Sequence, residues 1–176
     1  MDASNYSNES IRSFVRKHPR NVNNLFHMLL SSHMSLVNLM VSNPQIAISA
    51  LNTNAVDIAK AVCNARECST KECSTDTCQN ITTLLTEHAV ILSELRQAII
   101  DKQNLNSIIA RANQNNIALM NAFICNPILV SKGITLWTEY ISLYIKRIRD
   151  PENTQLYTSL QLSSFPIANF IVKATA

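Results

Sequence analysis

A single glycine, Gly133, stands in a chain of 176 residues, and it limits the available folds more than any other feature. Loops that cradle phosphate, such as G-x-G-x-x-G and G-x-x-x-x-G-K-[ST], need several glycines, because their backbone takes up positive φ and comes close to the ligand. The nucleophile elbow G-x-S-x-G is missing as well, and so are the tight hairpins built on Asn-Gly or Asp-Gly. P-loop and Rossmann enzymes, α/β-hydrolases and hairpin-rich β folds are disfavoured together.

What remains is helical, and the apolar residues say so directly. Across residues 21–42, Val22, Leu25, Phe26, Leu29, Leu30, His33, Leu36, Val37 and Met40 recur at spacings of three and four, the signature of one buried helical face. Asn43 then reads as an N-cap and Pro44 as the first residue of the next helix, which runs to about residue 65, with a possible break at Asn52, Thr53 and Asn54. Residues 80–102 and 105–125 repeat the amphipathic pattern, and their short connection predicts an antiparallel helical hairpin. Asn126 and Pro127 open a short segment punctuated by Gly133, and residues 134–149 form an amphipathic helix with Trp137, Ile141, Tyr144, Ile145 and Ile148 inward. Pro151 pushes Asp150 out of the helical region and ends it. The expected fold is all-α: a single-domain bundle of about five to six amphipathic helices over residues 11–150, after a flexible segment 1–10 and before a C-terminal arm 151–176. Residues 8–18 carry Ile11, Phe14 and Val15 on one side of a short helix that Pro19 ends.

The arm differs in character. Residues 163–176 are apolar and β-branched with Pro166 inside, so an extended tail is expected, either packed back on the bundle or docked on a neighbour. In the second case Phe165, Ile167, Phe170, Ile171 and Val172 are the assembly contacts.

Cys63, Cys68, Cys73 and Cys78 fall five apart, within or beside a cysteine-rich loop at 66–79 that nearly duplicates a pentamer. On one helix such neighbours lie about 7.5 Å apart along the axis and about 140° around it. They could then neither pair nor converge on an ion, because a disulfide needs Cα atoms within roughly 7 Å. In a loop, three readings stay open. A four-thiolate metal site fits worst, because zinc sites use close pairs separated by a long gap. One or two disulfides, for instance Cys63–Cys73 or Cys68–Cys78, run against a reducing interior. The simplest reading is a polar loop or helical end with free thiols. Cys125 reads as a small core residue.

Catalytic chemistry finds little support. His33 and His88 lie on apolar faces, where a hydrogen-bonded core histidine is the ordinary outcome, and no H-E-x-x-H occurs. Tyr140 and Tyr144, four apart beside Trp137, read as core and rim. No enzyme activity and no cofactor are expected. Nucleic acid is possible but not favoured: Arg12, Arg16, Lys17 and Arg20 could meet phosphates, whereas Lys146, Arg147 and Arg149 close a helix and complement its dipole. The net charge is only +3.

Charged residues make up 15% of the chain, below the usual ~25%. Asn, Ser, Thr and Gln supply the polarity, and such a surface tolerates close contact with other protein. The first twenty residues are polar and basic, so no hydrophobic leader is expected, and no uninterrupted apolar run reaches the ~18 residues of a membrane span. Residues 25–41 come nearest, but contain His27, Ser31, Ser32, His33, Ser35 and Asn38. The expected setting is the cytoplasm of a host cell or a virion. The expected function is non-enzymatic assembly, most concretely as a small viral capsid or virion component acting by self-assembly or on protein partners. A nucleocapsid-type protein with a basic N-terminal helix and an accessory protein that binds a host partner are the alternatives.

Overall fold

The computed structural model describes residues 19–67, 75–124 and 126–175. Six helices form one all-α bundle among them: α1 (Pro19–Ser42), α2 (Pro44–Glu67), α3 (Thr75–Ile100), α4 (Asn106–Phe123), α5 (Pro127–Arg149) and α6 (Thr154–Thr175). Helices adjacent in sequence pack together, and α6 closes the ring against both α1 and α5. The α5 helix also lies against α3 and touches α1, so it runs closest to the centre.

Local chemistry fixes several boundaries. Asn43 alone separates α1 from α2, and Pro44 starts α2 where its missing N–H is not needed. Asn126 Oδ1 accepts from the Ile128 N–H at 3.0 Å and caps α5, with Pro127 as its first residue. One of the last carbonyls of α1 is satisfied from outside: Arg96 Nε on α3 donates to the Val41 carbonyl at 3.0 Å.

Packing explains where the expectations fail. The polar stretch at Asn52, Thr53 and Asn54 does not break α2, because Asn54 is buried and its Nδ2 donates to the Leu29 carbonyl of α1 at 3.1 Å. Gly133 does not interrupt α5. It is buried where α5 meets α4, and a Cβ there would stand 2.8 Å from Met120 Sδ and 3.1 Å from Ile124 Cδ1. The glycine serves close approach, and the helix runs straight through it.

The largest difference is the C-terminal arm, which is helical rather than extended. Leu160, Ser164, Ile167, Ala168, Ile171 and Val172 are buried at spacings of three and four, so the segment has a helical face that its β-branched composition disguises. Pro166 sits inside α6 on the exposed side. The carbonyl it leaves without an N–H partner belongs to Leu162, which also faces outward, and water can satisfy it. The α1 helix is apolar over enough of its length, Asn24–Ser42, to cross a membrane by length and composition, and 44% of that window is buried in the bundle.

Candidate functional site

Two features stand apart from ordinary helix packing: a polar centre inside the bundle and an uncharged apolar face outside it. The centre is assembled by α5. Trp137, Tyr140 and Tyr144 are fully buried, and both phenols end on mid-helix carbonyls of other helices. Tyr140 donates to the Met34 carbonyl of α1 at 2.8 Å, and Tyr144 to the Leu92 carbonyl of α3 at 3.1 Å. Burial raises both phenol pKa values, so both remain donors.

One turn away, His33 of α1 and His88 of α3 stack with ring centroids 5.9 Å apart, and Trp137 meets His88 edge-on at 5.2 Å. His33 Nδ1 lies 3.0 Å from Asn54 Oδ1. Because Asn54 Nδ2 is already committed to Leu29, Oδ1 must accept and His33 Nδ1 must carry the proton. His33 Nε2, both nitrogens of His88 and Trp137 Nε1 find no hydrogen-bond partner among the described residues. Burial lowers the pKa of His33 from 6.5 to about 4, partly opposed by Asn54. Burial and the neighbouring His33 lower His88 further, to about 3. The Asn115 carboxamide beside His88 raises it slightly but completes no hydrogen bond to the ring. Both rings are therefore neutral at pH 7. No carboxylate bonds to either ring, and no group of three or more His, Cys, Asp or Glu that could hold a metal occurs among the described residues.

The outer face is formed by α1 and α6. The chain has no Asp, Glu, Lys or Arg between Arg20 and Asp57, nor between Glu152 and Lys173, so these two packed helices present a charge-free surface. The exposed positions of α1 include Leu25, Met28, Ser32, Ser35 and Leu39, again at spacings of three and four. On α6 the stripe is Thr158, Leu162, Phe165 and Asn169. Met28, Leu162 and Phe165 are 67%, 64% and 62% exposed, high values for large apolar side chains. Between the stripes runs an open cleft of about 570 Å³, with Ser31, Ser32 and Ser35 along one wall and Leu162 and Phe165 along the other. Phe165 leans on the His27 ring at 5.5 Å.

The residues singled out from sequence separate accordingly. Of the five assembly candidates in the arm, Ile167, Ile171 and Val172 point into the core and cannot meet a neighbour. Phe170 is half-buried beneath Lys132 Nζ, 5.5 Å from its ring. Only Phe165 faces outward, joined by Met28 and Leu162, which the arm-centred reading passed over.

Cys63 and Cys78 form a disulfide with Cα atoms 6.1 Å apart, unlike either pairing considered from the spacing. Cys63 lies on α2 and Cys78 on α3, so the connection between these helices is shorter than the expected 66–79 loop. The helix pair brings these two cysteines together across it. With them joined, four thiolates cannot gather around one ion. Cys68, Cys73 and Cys125 lie outside the described residues, as do Arg12, Arg16 and Lys17 and the segment 1–10. Arg20 lies in the first turn of α1. In the second basic cluster, Arg147 donates to the Pro151 carbonyl and stacks over the Tyr157 ring at 5.7 Å.

No protein-family profile, curated protein or solved structure matches the chain.

Proposed function

We propose that this protein is a non-enzymatic structural protein that works by self-assembly, with the α1/α6 face as its contact surface. The observation that carries this reading is the charge-free face itself, with Met28, Leu162 and Phe165 held out in water. Leaving such side chains exposed forgoes about 1.5–3 kcal/mol each relative to burial, and association recovers part of that. A capsid or virion component is the most concrete form, since a weakly charged surface allows many copies to pack without mutual repulsion.

The test is the mass of the purified protein in solution by light scattering, with absorbance at 260 and 280 nm recorded together. A discrete oligomer or larger particle free of nucleic acid supports the proposal. A monomer at every concentration overturns it in favour of a partner-binding accessory protein. Particles that form only with co-purifying nucleic acid overturn it in favour of a nucleocapsid-type role for Arg12, Arg16, Lys17 and Arg20.

A further inference from the structure

We infer that the α1/α6 face pairs with the same face of a second copy across a two-fold axis, an inference that rests on the self-assembly reading above. The argument begins with charge. An apolar, uncharged surface loses nothing against another uncharged surface, whereas a charged group brought onto it is stripped of water without a partner. Elsewhere on the described surface Glu94 and Arg111 pair across α3 and α4, and Lys146, Arg147 and Arg149 close α5, while two further charge-free stretches, 43–56 and 112–131, expose Ile46, Ile117 and Ile128. Among the described residues, α1 and α6 are the one pair of packed helices uncharged over nearly the whole length of both, so the surface that matches theirs in extent is that face again. Contact of a patch with its own copy is isologous and closes on a two-fold axis.

Shape agrees. An isologous patch must be self-complementary, with a projection and a recess side by side. Phe165 and Leu162 form the projection, and the serine-lined wall of the cleft forms the recess beside it. Small residues at Ser32 and Ser35, in the middle of the α1 stripe, let a second helix approach closely at the 3–4 spacing by which helices interlock.

Size agrees as well. Helices of 24 and 22 residues are roughly 36 and 33 Å long and about 10 Å wide each, so the face presents about 700 Å² per copy. Two copies bury roughly 1,400 Å², within the range of about 1,200–2,000 Å² for stable specific interfaces. Glu152, in the turn just before α6, and Lys173, in its last turn, are exposed and belong to the polar rim.

The experiment uses the full chain and two charge variants, Leu162→Lys with Phe165→Lys and Leu162→Asp with Phe165→Asp. Both positions are exposed, so the fold tolerates either charge, and Met28→Arg on the other helix provides an independent variant. Mass is read by light scattering and dissociation by sedimentation. The expected result is a dimer or an assembly of dimers for the unaltered chain and at least a tenfold weaker association for each variant alone. An equimolar mixture of the Lys and Asp variants should recover association, and high salt should remove that recovery. An oligomer that none of the variants weakens, or a Lys and Asp mixture that fails to recover, overturns the two-fold face and leaves the self-assembly reading standing. A monomeric parent chain overturns both. If that monomer binds phosphatidylcholine vesicles, the face meets lipid instead. If its thermal midpoint falls in the charge variants, the face is covered by the chain's own residues 1–18.

Discussion

Acidifying the protein to pH 5 should remove about 4 kcal/mol of its stability, and the loss should trace to His33 and His88. Both rings are fully buried, and their pKa values are lowered from 6.5 to about 4 and about 3. In the unfolded chain each ring takes up a proton near pH 6.5, while in the folded chain it stays neutral well below that. The unfolded state therefore binds more protons, and stability falls as pH falls. The contribution is complete above pH 6.5 and declines from there to about pH 4 for His33 and about pH 3 for His88. Each proton is worth about 1.4 kcal/mol per pH unit, so a span of about 1.5 units amounts to ~2 kcal/mol per ring at pH 5. Against a typical total of about 5–15 kcal/mol, that loss is large. The carboxylate of Glu87, the neighbour of His88 in sequence, lies 3.5 Å from Asn115 Nδ2 rather than on a ring. The assay is urea unfolding followed by the fluorescence of Trp137, the sole tryptophan, at steps from pH 7.5 to 5. Unfolding should be coupled to uptake of about two protons below pH 6, and to about one in His88→Phe. Because the comparison is of slopes, the packing cost of the substitution cancels. A slope well under one proton in the unaltered chain, or one unchanged by His88→Phe, would refute the reasoning.

Three further results are expected. Tyr140→Phe and Tyr144→Phe each remove one buried hydrogen bond to a mid-helix carbonyl, so each should lower stability by about 0.5–1.5 kcal/mol in urea titration, and a loss near zero would deny the bonds. Reduction of the Cys63–Cys78 disulfide, with a sequence separation of 15, should cost up to about 3 kcal/mol, and identical urea midpoints with and without reductant would mean that the bond does not form in solution. At Gly133 the added methyl of Ala would meet the flexible end of Met120, and the helix propensity of Ala gains about 1 kcal/mol. Gly133→Ala should therefore stay within about 1 kcal/mol of the parent, whereas Gly133→Leu should lose about 1–3 kcal/mol by overpacking, each read as a shift in urea midpoint.

Helix identity was legible wherever its cause is local. Asn43 with Pro44, and Asn126 with Pro127, mark starts because capping involves only the next few residues. Three features were illegible because their causes lie across the bundle. Gly133 reads as punctuation until α4 is seen pressing on it. Pro166 and the β-branched residues near it read as an extended tail until α1 and α5 offer a surface for the opposite face of α6. On α1, apolar residues occur almost all round the helix, so the 3–4 spacing suits more than one stripe. Leu25 was counted with the buried face, yet it is 47% exposed, while Met34 is in the core. Which stripe turns outward is decided by α2 and α6, and the proposed contact face is that leftover stripe.

The inner and outer features are linked through α1. His33 and the Met34 carbonyl fix its inner side to Asn54 on α2 and Tyr140 on α5, while Val41 is held by Arg96 on α3. These directional bonds specify one rotation and one register for a helix whose apolar pattern alone would tolerate several. That matters because a contact surface gains affinity when little has to be ordered on association. Were α1 free to turn by one stripe, Met28 and Leu39 would exchange places with core residues and the face would dissolve. The buried polar groups thus do for the surface what further apolar packing could not: they decide which apolar side chains stay outside. It follows that protonating His33 should loosen not only the core but the rotation of α1. Association through the α1/α6 face should then weaken as pH falls toward about 4, where His33 takes up its proton in the folded chain.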